Sequence, residues 1–348
     1  MDLSIVIATR NRASSLARTL DELLKLDNPT EKKIEVIVSD NGSSDATKTI
    51  CQMFENRFPH FRYIFDRRPG QLVGWHRALL ASRSELLAFI DDDVRPLPGW
   101  SSAVIECFNN EEVGIATGKI LPEFEEKPPR WQREFVKENQ WGIWSALWGM
   151  LNFGDEIKEI SAGFVWGSNF LVRRKALMEA GGFHPGGMPE HLSHFVGDGE
   201  VGVGRKIQQC GYKALYNPDA VVAHYLPSAR RSDPHGIRHL IFGEGMVTSY
   251  ILMRLLAEAN PSLPSKELIG LVGNTIDPEQ ISNIGQYYLK LDSKLPDELK
   301  KLFQTSGKEG FDFHQSRFQR DDLFRKWVLT PDYLNIDTCY THPELLAR

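Results

Sequence analysis

The sequence predicts an α/β fold, a mostly parallel sheet with helices on both faces. Three observations carry this reading. Continuous apolar, β-branched runs such as "LSIVIAT" (Leu3–Thr9) and "IEVIVSD" (Ile34–Asp40) read as strands covered on both faces. Segments of helical periodicity alternate with them at the spacing of strand–helix–strand units. Three strand ends are polar: Thr9-Arg10-Asn11, Ser39-Asp40-Asn41 and Asp91-Asp92-Asp93. In open α/β sheets that edge is where ligands bind.

The elements follow in order. After Leu3–Thr9 comes a helix, "ASSLARTLDELLKL", led by Asn11, and then the strand Ile34–Asp40. "NGSSDATKTICQMFENRF" is a turn and a helix, with Ser44 or Asp45 as N-cap. "FRYIFDR" is a strand, "GWHRALLASRS" a helix and "ELLAFID" a strand. A helix, "WSSAVIECFNN", and a strand, "VGIATGKI", complete the regular part. From Leu121 to about Ile160 the texture changes, and Trp131, Trp141, Trp144 and Trp148 cluster there. Regularity returns in "FVWGSNFLVRRKALMEAGGF" (strand, helix), "GDGEVGVGRKIQQCGYK" (loop, helix) and "ALYNPDAVVAHY" (strand). From Ser228 to Arg348 the chain reads mainly helical, with breaks at Pro261, Pro264, Pro278 and Pro296. The expected division is therefore residues 1–227 and 228–348.

Composition excludes several classes. With 41% hydrophobic and 25% charged residues the chain is globular rather than disordered. A net charge of −5 speaks against non-specific nucleic-acid binding. Cys51, Cys107, Cys210 and Cys339 stand far apart, which reads as reduced thiols in a cytoplasmic protein. The N-terminal apolar run is too short for a signal peptide. "MVTSYILMRLLAEA", from Met246, is interrupted by Arg254 and reads as too short to span a membrane. A soluble or peripheral protein is expected. No GxGxxG follows the first strand, no GxxxxGK[ST] is present, and no nucleophile elbow appears, so dehydrogenase, P-loop and hydrolase readings fall away.

"LLAFIDDDVRPLPGW" (Leu86–Trp100) poses the main question, because three like charges close a buried strand. Unpaired, they repel and are costly to bury. They are either a solvated cluster or oxygen ligands for Mg²⁺ or Mn²⁺, ions that share their shell with substrate phosphates.

"IVIATRNR", "VIVSDNGSSDAT" and "LLAFIDDDVRPLPGW", in this order, resemble glycosyltransferase family 2, the inverting enzymes of GT-A fold. "GSNFLVRRKALMEAGGF", "GDGEVGVGRKIQQCGY" and "NPDAVVAHY" resemble its second half, so the likeness runs from about Leu3 to Tyr225. It implies a nucleotide-binding half (1–120), an acceptor-binding half (121–227) and a helical extension for acceptor recognition, membrane association or self-association. The implied donor is a nucleoside-diphosphate sugar, with a lean to UDP, and the implied acceptor is a hydroxyl of a saccharide or lipid-linked molecule. Thr9, Arg10, Arg12 and Asn41 would line the donor pocket, and Asp40 would accept a hydrogen bond from the base. Asp91 would lie near the ribose, with Asp92 between it and Asp93. Asp93 and His224 would ligate Mn²⁺ or Mg²⁺. Gly70 would bring backbone close to the donor, Arg77 would contact the diphosphate, and Trp166, Gly167, Ser168 and Asn169 would line the sugar pocket. His76 stands where relatives often carry Asn.

Inversion calls for a carboxylate base. Asp198 aligns with the family's catalytic aspartate, but Gly197 replaces the glutamate usually before it, which keeps Glu200 in play. The alternative for both acids is a helix N-terminus favoured by its dipole. His184, His191 and His194 match no zinc spacing and read as a loop before the base that touches acceptor or donor. The tryptophans leave three readings open: a platform for acceptor sugar rings, a contact with a lipid-linked acceptor at the inner membrane face, or a helical lid with rings packed inward. Arg230 and Arg231 would meet the diphosphate or solvent. Two rival functions are a sugar-1-phosphate nucleotidyltransferase, whose glycine-rich loop "ATRNRASSL" lacks, and a catalytically inactive nucleotide-sugar-binding scaffold.

Overall fold

A computed structural model describes residues 1–26, 32–197, 199–228, 234–275, 294–330 and 333–346. Four parallel strands open the chain: β1 (Leu3–Thr9), β2 (Ile34–Asp40), β3 (Phe61–Phe65) and β4 (Leu86–Ile90), ordered β3-β2-β1-β4. Every residue of β1 is buried, as its unbroken apolar run requires of a central strand. The register pairs Thr9 with Asp40, so the polar strand ends arrive at one edge. Helices α1 (Ala13–Leu23), α2 (Thr47–Glu55) and α3 (Gln71–Ala81) connect the strands.

The first two turns are tied together. Asn11 adopts φ 53°, the left-handed region Asn tolerates, and its Oδ1 accepts a hydrogen bond from Ser44 N at 2.7 Å. Asp45 accepts from Thr47 N and from Ala13 N, each at 3.0 Å. One carboxylate thereby satisfies orphan donors of α1 and α2.

Beyond β4 the parallel order ends. β5 (Val94–Pro96), α4 (Trp100–Glu106) and β6 (Val113–Phe124) follow. The tryptophan-rich stretch forms an antiparallel meander, β7 (Lys137–Glu138), β8 (Ile143–Ser145) and β9 (Met150–Asn152), attached to β6 through Ile120 and Leu151. It is built of strands where one reading expected a helical lid, and two of its four tryptophans pack inward as that reading required. Trp144 and Trp148 are buried, and Trp148 Nε1 donates to Gln132 Oε1 at 3.0 Å. Trp141 and Trp144 stand edge-on to Phe164, with centroids 5.4 and 5.5 Å away.

After β10 (Lys158–Ile160), β11 (Phe170–Arg173) inserts antiparallel between β4 and β6. Helices α5 (Arg174–Glu179) and α6 (Gly199–Gln209) lead to β12 (Lys213–Leu226), which runs parallel to β6 and antiparallel to β5. His224 then lies opposite Val94, and Tyr225 N donates to Asp93 O at 2.9 Å.

The C-terminal region is helical as expected: α7 (Pro234–Ala259), α8 (Asp297–Arg320) and α9 (Asp322–Leu329). Pro278 lies outside the described residues. α7 and α8 cross backbone to backbone at glycines. A Cβ at Gly245 would sit 2.0 Å from Gly307 O, and one at Gly310 would sit 1.9 Å from Phe242 O. Within α7 the segment Gly236–Ala259 is long and apolar enough to cross a membrane, longer than the run read from the sequence. Arg254 is accommodated because its Nη1 donates to Val328 O and Thr330 O, both at 2.9 Å.

Two apolar clusters weld these helices to the sheet domain. One joins Val73, Leu192 and Phe195 to Tyr250, Phe324 and Trp327. The other joins Phe135, Leu147 and Trp148 of the tryptophan-rich segment to Ile237, Ile241 and Phe303. His184 and His194 of the 184–194 loop serve this docking, while His191 is exposed. A His184 Nε2–Trp327 O contact spans 3.1 Å, and Glu344 meets both His194 and Arg317 at 2.8 Å. The four cysteines are free thiols.

Two stability measurements test this packing. Gly310→Ala forces backbone apart at the α7–α8 crossing and is expected to cost about 1–3 kcal/mol in denaturant unfolding. His314 sits between the same helices with Nδ1 2.7 Å from Ser249 Oγ, while its Nε2 finds no partner among the described residues. Burial pushes its pKa down to about 3 from 6.5. Below pH 6.5 the unfolded chain takes a proton that the folded chain refuses. Stability from this group is therefore complete above pH 6.5 and falls towards pH 3, by about 1.4 kcal/mol per pH unit. His314→Asn should flatten that slope relative to the parent; parallel pH profiles would show otherwise.

Candidate active site

A cavity of about 530 Å³ opens at the carboxyl ends of β1 and β4. Thr9, Arg12, Asp91 and Asp93 line one side, and Trp166 and Glu200 the other. The sheet order explains the first group, because adjacent parallel strands deliver their terminal residues to one edge.

Each aspartate of the triplet has its own anchor. Asp91 accepts from Gln71 Nε2 at 2.7 Å and from Ser168 Oγ at 3.2 Å. Asp92 accepts from Thr9 Oγ1 at 2.6 Å and pairs with Arg12 Nη1 at 2.8 Å. Asp93 takes Arg12 Nη2 on Oδ2 at 2.6 Å, and its Oδ1 faces His224 Nε2 at 3.5 Å. One ligand atom each from Asp91, Asp93 and His224 lie within 4.8 Å of one another. Two carboxylates and an imidazole fit Mn²⁺ or Mg²⁺. His224 is held by its surroundings: Gly149, at φ 53°, packs so closely that a Cβ would lie 2.8 Å from His224 Nδ1.

The acids differ in basicity. Burial acts to raise Asp93, but the hydrogen bond and charge of His224 and the Arg12 guanidinium outweigh it and hold the group well below the usual carboxylate range. Burial and the neighbouring Asp93 charge raise Asp91. Burial pushes Asp92 up to about 7, against Arg12 and Thr9. The Thr9 hydroxyl at Oδ2 and the Arg12 guanidinium at Oδ1 favour its charged form against that burial. Burial also raises Glu200, and the charges of Asp91 and Glu244 add to this. The Glu200 carboxylate rests against Gly167, where a Cβ would come within 2.5 Å of Oε1.

A family model described as Glycosyl transferase family 2 matches residues 4–181. The chain belongs to glycosyltransferase family 2. A validoxylamine A glucosyltransferase of Streptomyces hygroscopicus subsp. jinggangensis is 40% identical over 122 residues, covering 34% of this chain and 27% of that protein. Glycosyltransferase AglE of Haloferax volcanii is 22% identical over 223 residues, covering 64% of this chain and 66% of AglE. The aligned part of this chain thus spans from about a quarter to just under two thirds of these curated relatives. Among solved structures, mannosyltransferase PcManGT from Pyrobaculum calidifontis, in complex with GDP-Man and Mn²⁺, aligns with a TM-score of 0.49 at 14% identity, covering 92% of this chain and 87% of that one.

The sequence motifs of this family 2 chain converge only in part on the cavity wall. Thr9, Arg10, Arg12, Asn41, Gly70, Asp91, Asp92, Asp93, Trp166, Gly167, Ser168, Glu200 and His224 reach it. Asn41 does so with its amide buried against Gly74 of α3, where Oδ1 and Nδ2 have no partner among the described residues. Three others lie off the wall. Both carboxylate oxygens of Asp40 are engaged, by Tyr63 OH and Ser43 N, each at 2.7 Å. Arg77 Nε is 3.4 Å from Asp66 Oδ2. Asn169 accepts from Trp100 Nε1 at 3.1 Å and donates to Ala220 O at 2.8 Å, pinning α4 and β12. Asp198, Arg230 and Arg231 lie outside the described residues.

Sequence reasoning missed Gln71, Gly149 and Glu244, all on the wall. Gln71 directly follows the Gly70 turn, a usable signal. Gly149 and Glu244 come from the meander and from α7, whose placement no local pattern announces. Gly149→Ala should tilt the imidazole and weaken Mn²⁺ binding by about tenfold, read by EPR of free Mn²⁺. Unchanged affinity would mean the ring has room to spare.

Proposed function

We propose that this chain is an inverting, metal-assisted glycosyltransferase that moves a sugar from a nucleoside-diphosphate donor to a hydroxyl of a saccharide or lipid-linked acceptor. The observation that carries the reading is the convergence of Asp91 and Asp93, from the turn between β4 and β5, with His224 of β12 on the wall of one cavity. The base lies towards Asn41 at the end of β2, and uracil is the favoured base. The diphosphate lies over Arg12 and the aspartates, and the sugar against Trp166 to Ser168. Asp93 and His224, with Asp91 beside them, would hold Mn²⁺ or Mg²⁺, and that ion would neutralise charge building on the diphosphate leaving group. Arg12 adds a fixed positive charge at the same end.

The acceptor hydroxyl loses its proton to a carboxylate at the start of α6. Asp198 takes this role by its place in the motif. Glu200, on the wall and made more basic by burial, orients the hydroxyl beside it.

A panel of UDP-, GDP- and dTDP-sugars with Mn²⁺ should raise the melting temperature for one donor class, because ligand binding stabilises by mass action. Donor turnover should stop with EDTA, and Asp93→Ala should lower kcat by about 10²–10³. Asp198→Asn should abolish transfer while donor binding survives, and Glu200→Gln should raise acceptor KM more than it lowers kcat. Full activity in Asp93→Ala or Asp198→Asn would refute the mechanism. Loss of kcat in Glu200→Gln alone would transfer the base role to Glu200.

A further inference from the structure

Asp92, the middle aspartate, offers no carboxylate oxygen to a ligand. Thr9 Oγ1 takes Oδ2 at 2.6 Å, Arg12 Nη1 takes Oδ1 at 2.8 Å, and Thr19 Oγ1 donates to its backbone oxygen at 2.8 Å. The side chain is buried, so a bare charge there would be costly. What Asp92 does hold is Arg12, whose second nitrogen reaches Asp93 at 2.6 Å. Arg12 takes Oδ2 of Asp93 and leaves Oδ1 turned towards His224 Nε2. A planar guanidinium bridging two carboxylates fixes both in angle as well as distance.

We propose that Thr9, Asp92 and Arg12 form a positioning relay that orients Asp93, so that its Oδ1 and His224 present a preformed pair to a divalent cation. The relay rests on the metal-assisted reading above. Asp92 and Arg12 are positioning residues: they act on the cation through Asp93. A competing arrangement, in which Arg12 occupies the cation's place and must be displaced, conflicts with the use of separate oxygens. It also predicts the opposite sign. Groups that orient metal ligands typically change metal affinity 10–100-fold when removed.

The test is Mn²⁺ affinity, read by EPR of free Mn²⁺ in the full chain without donor, alongside melting temperature and circular dichroism. Arg12→Gln and Asp92→Asn should each weaken binding by about tenfold. The double variant should be no weaker than the worse single one, because both remove the same clamp. Arg12→Lys keeps the charge but not the fork and should fall between parent and Arg12→Gln. Unchanged or tighter Mn²⁺ binding in Arg12→Gln overturns the relay, as do fully additive losses. If Arg12→Gln fails to fold, Arg12→Lys and Asp92→Asn carry the same comparison. Asp93→Ala separates the two levels. If the parent binds Mn²⁺ no better than Asp93→Ala, the metal reading fails and the relay with it. If Asp93→Ala loses binding while both relay variants retain it, only the relay fails.

Discussion

Three carboxylates at the end of a buried strand are the constraint around which this protein is organised. β4 is apolar at every position and ends in Asp91-Asp92-Asp93 at the wall of a cavity. Charges in that setting must be compensated. Part of the compensation comes from the chain's own side chains: Arg12 spans Asp92 and Asp93, and Thr9, Gln71 and Ser168 donate to further oxygens. His224 completes it from a strand more than 130 residues along the chain. The surplus negative charge at Asp91 and Asp93 is what a divalent cation with its diphosphate would balance.

The C-terminal helices take part in this organisation. α7 contributes Glu244 to the cavity wall, and α9 grips the loop that leads to the start of α6 through the contacts of Trp327 with His184 and Val196. The tryptophan-rich meander works from the other side. Its buried face packs on α7 and α8, and its turn at Gly149 presses on His224. The helices follow the second-half motifs and the meander lies between the two sets of motifs, yet both shape the site. Aromatic rings that a sequence reader would offer to a sugar are here the joint between two layers of the protein.

Much of the site was legible because it is local. Strand ends with polar triplets are visible as such, and Thr9, Arg10, Asp91 and Asp93 follow from that pattern, whereas Arg12 came from the family resemblance. His224 was legible through motif order, since β12 pairs with β5 only in three dimensions. Asp40, Arg77 and Asn169 show the limit. Each carries a polar side chain in a recognisable motif, but its partner (Tyr63, Asp66, Trp100) lies on another element and draws it off the cavity wall. Gln71, Gly149 and Glu244 show the converse, ordinary residues given a place in the cavity by packing.

By itself the sequence determined the alternation of strands and helices, the polar edge of the parallel sheet and the membership of a family, because periodicity and strand-end chemistry are short-range properties. Tertiary structure decided the rest. It inserted β11 antiparallel between β4 and β6, folded the tryptophan-rich segment into strands and crossed α7 over α8 at glycines. It also gave each aspartate a different partner. The physical reason is that charge compensation and close packing are satisfied by whichever groups meet in space. Three identical aspartates therefore acquire different surroundings once the chain closes around them: Asp91 faces the cavity, Asp92 anchors Arg12, and Asp93 is turned towards His224.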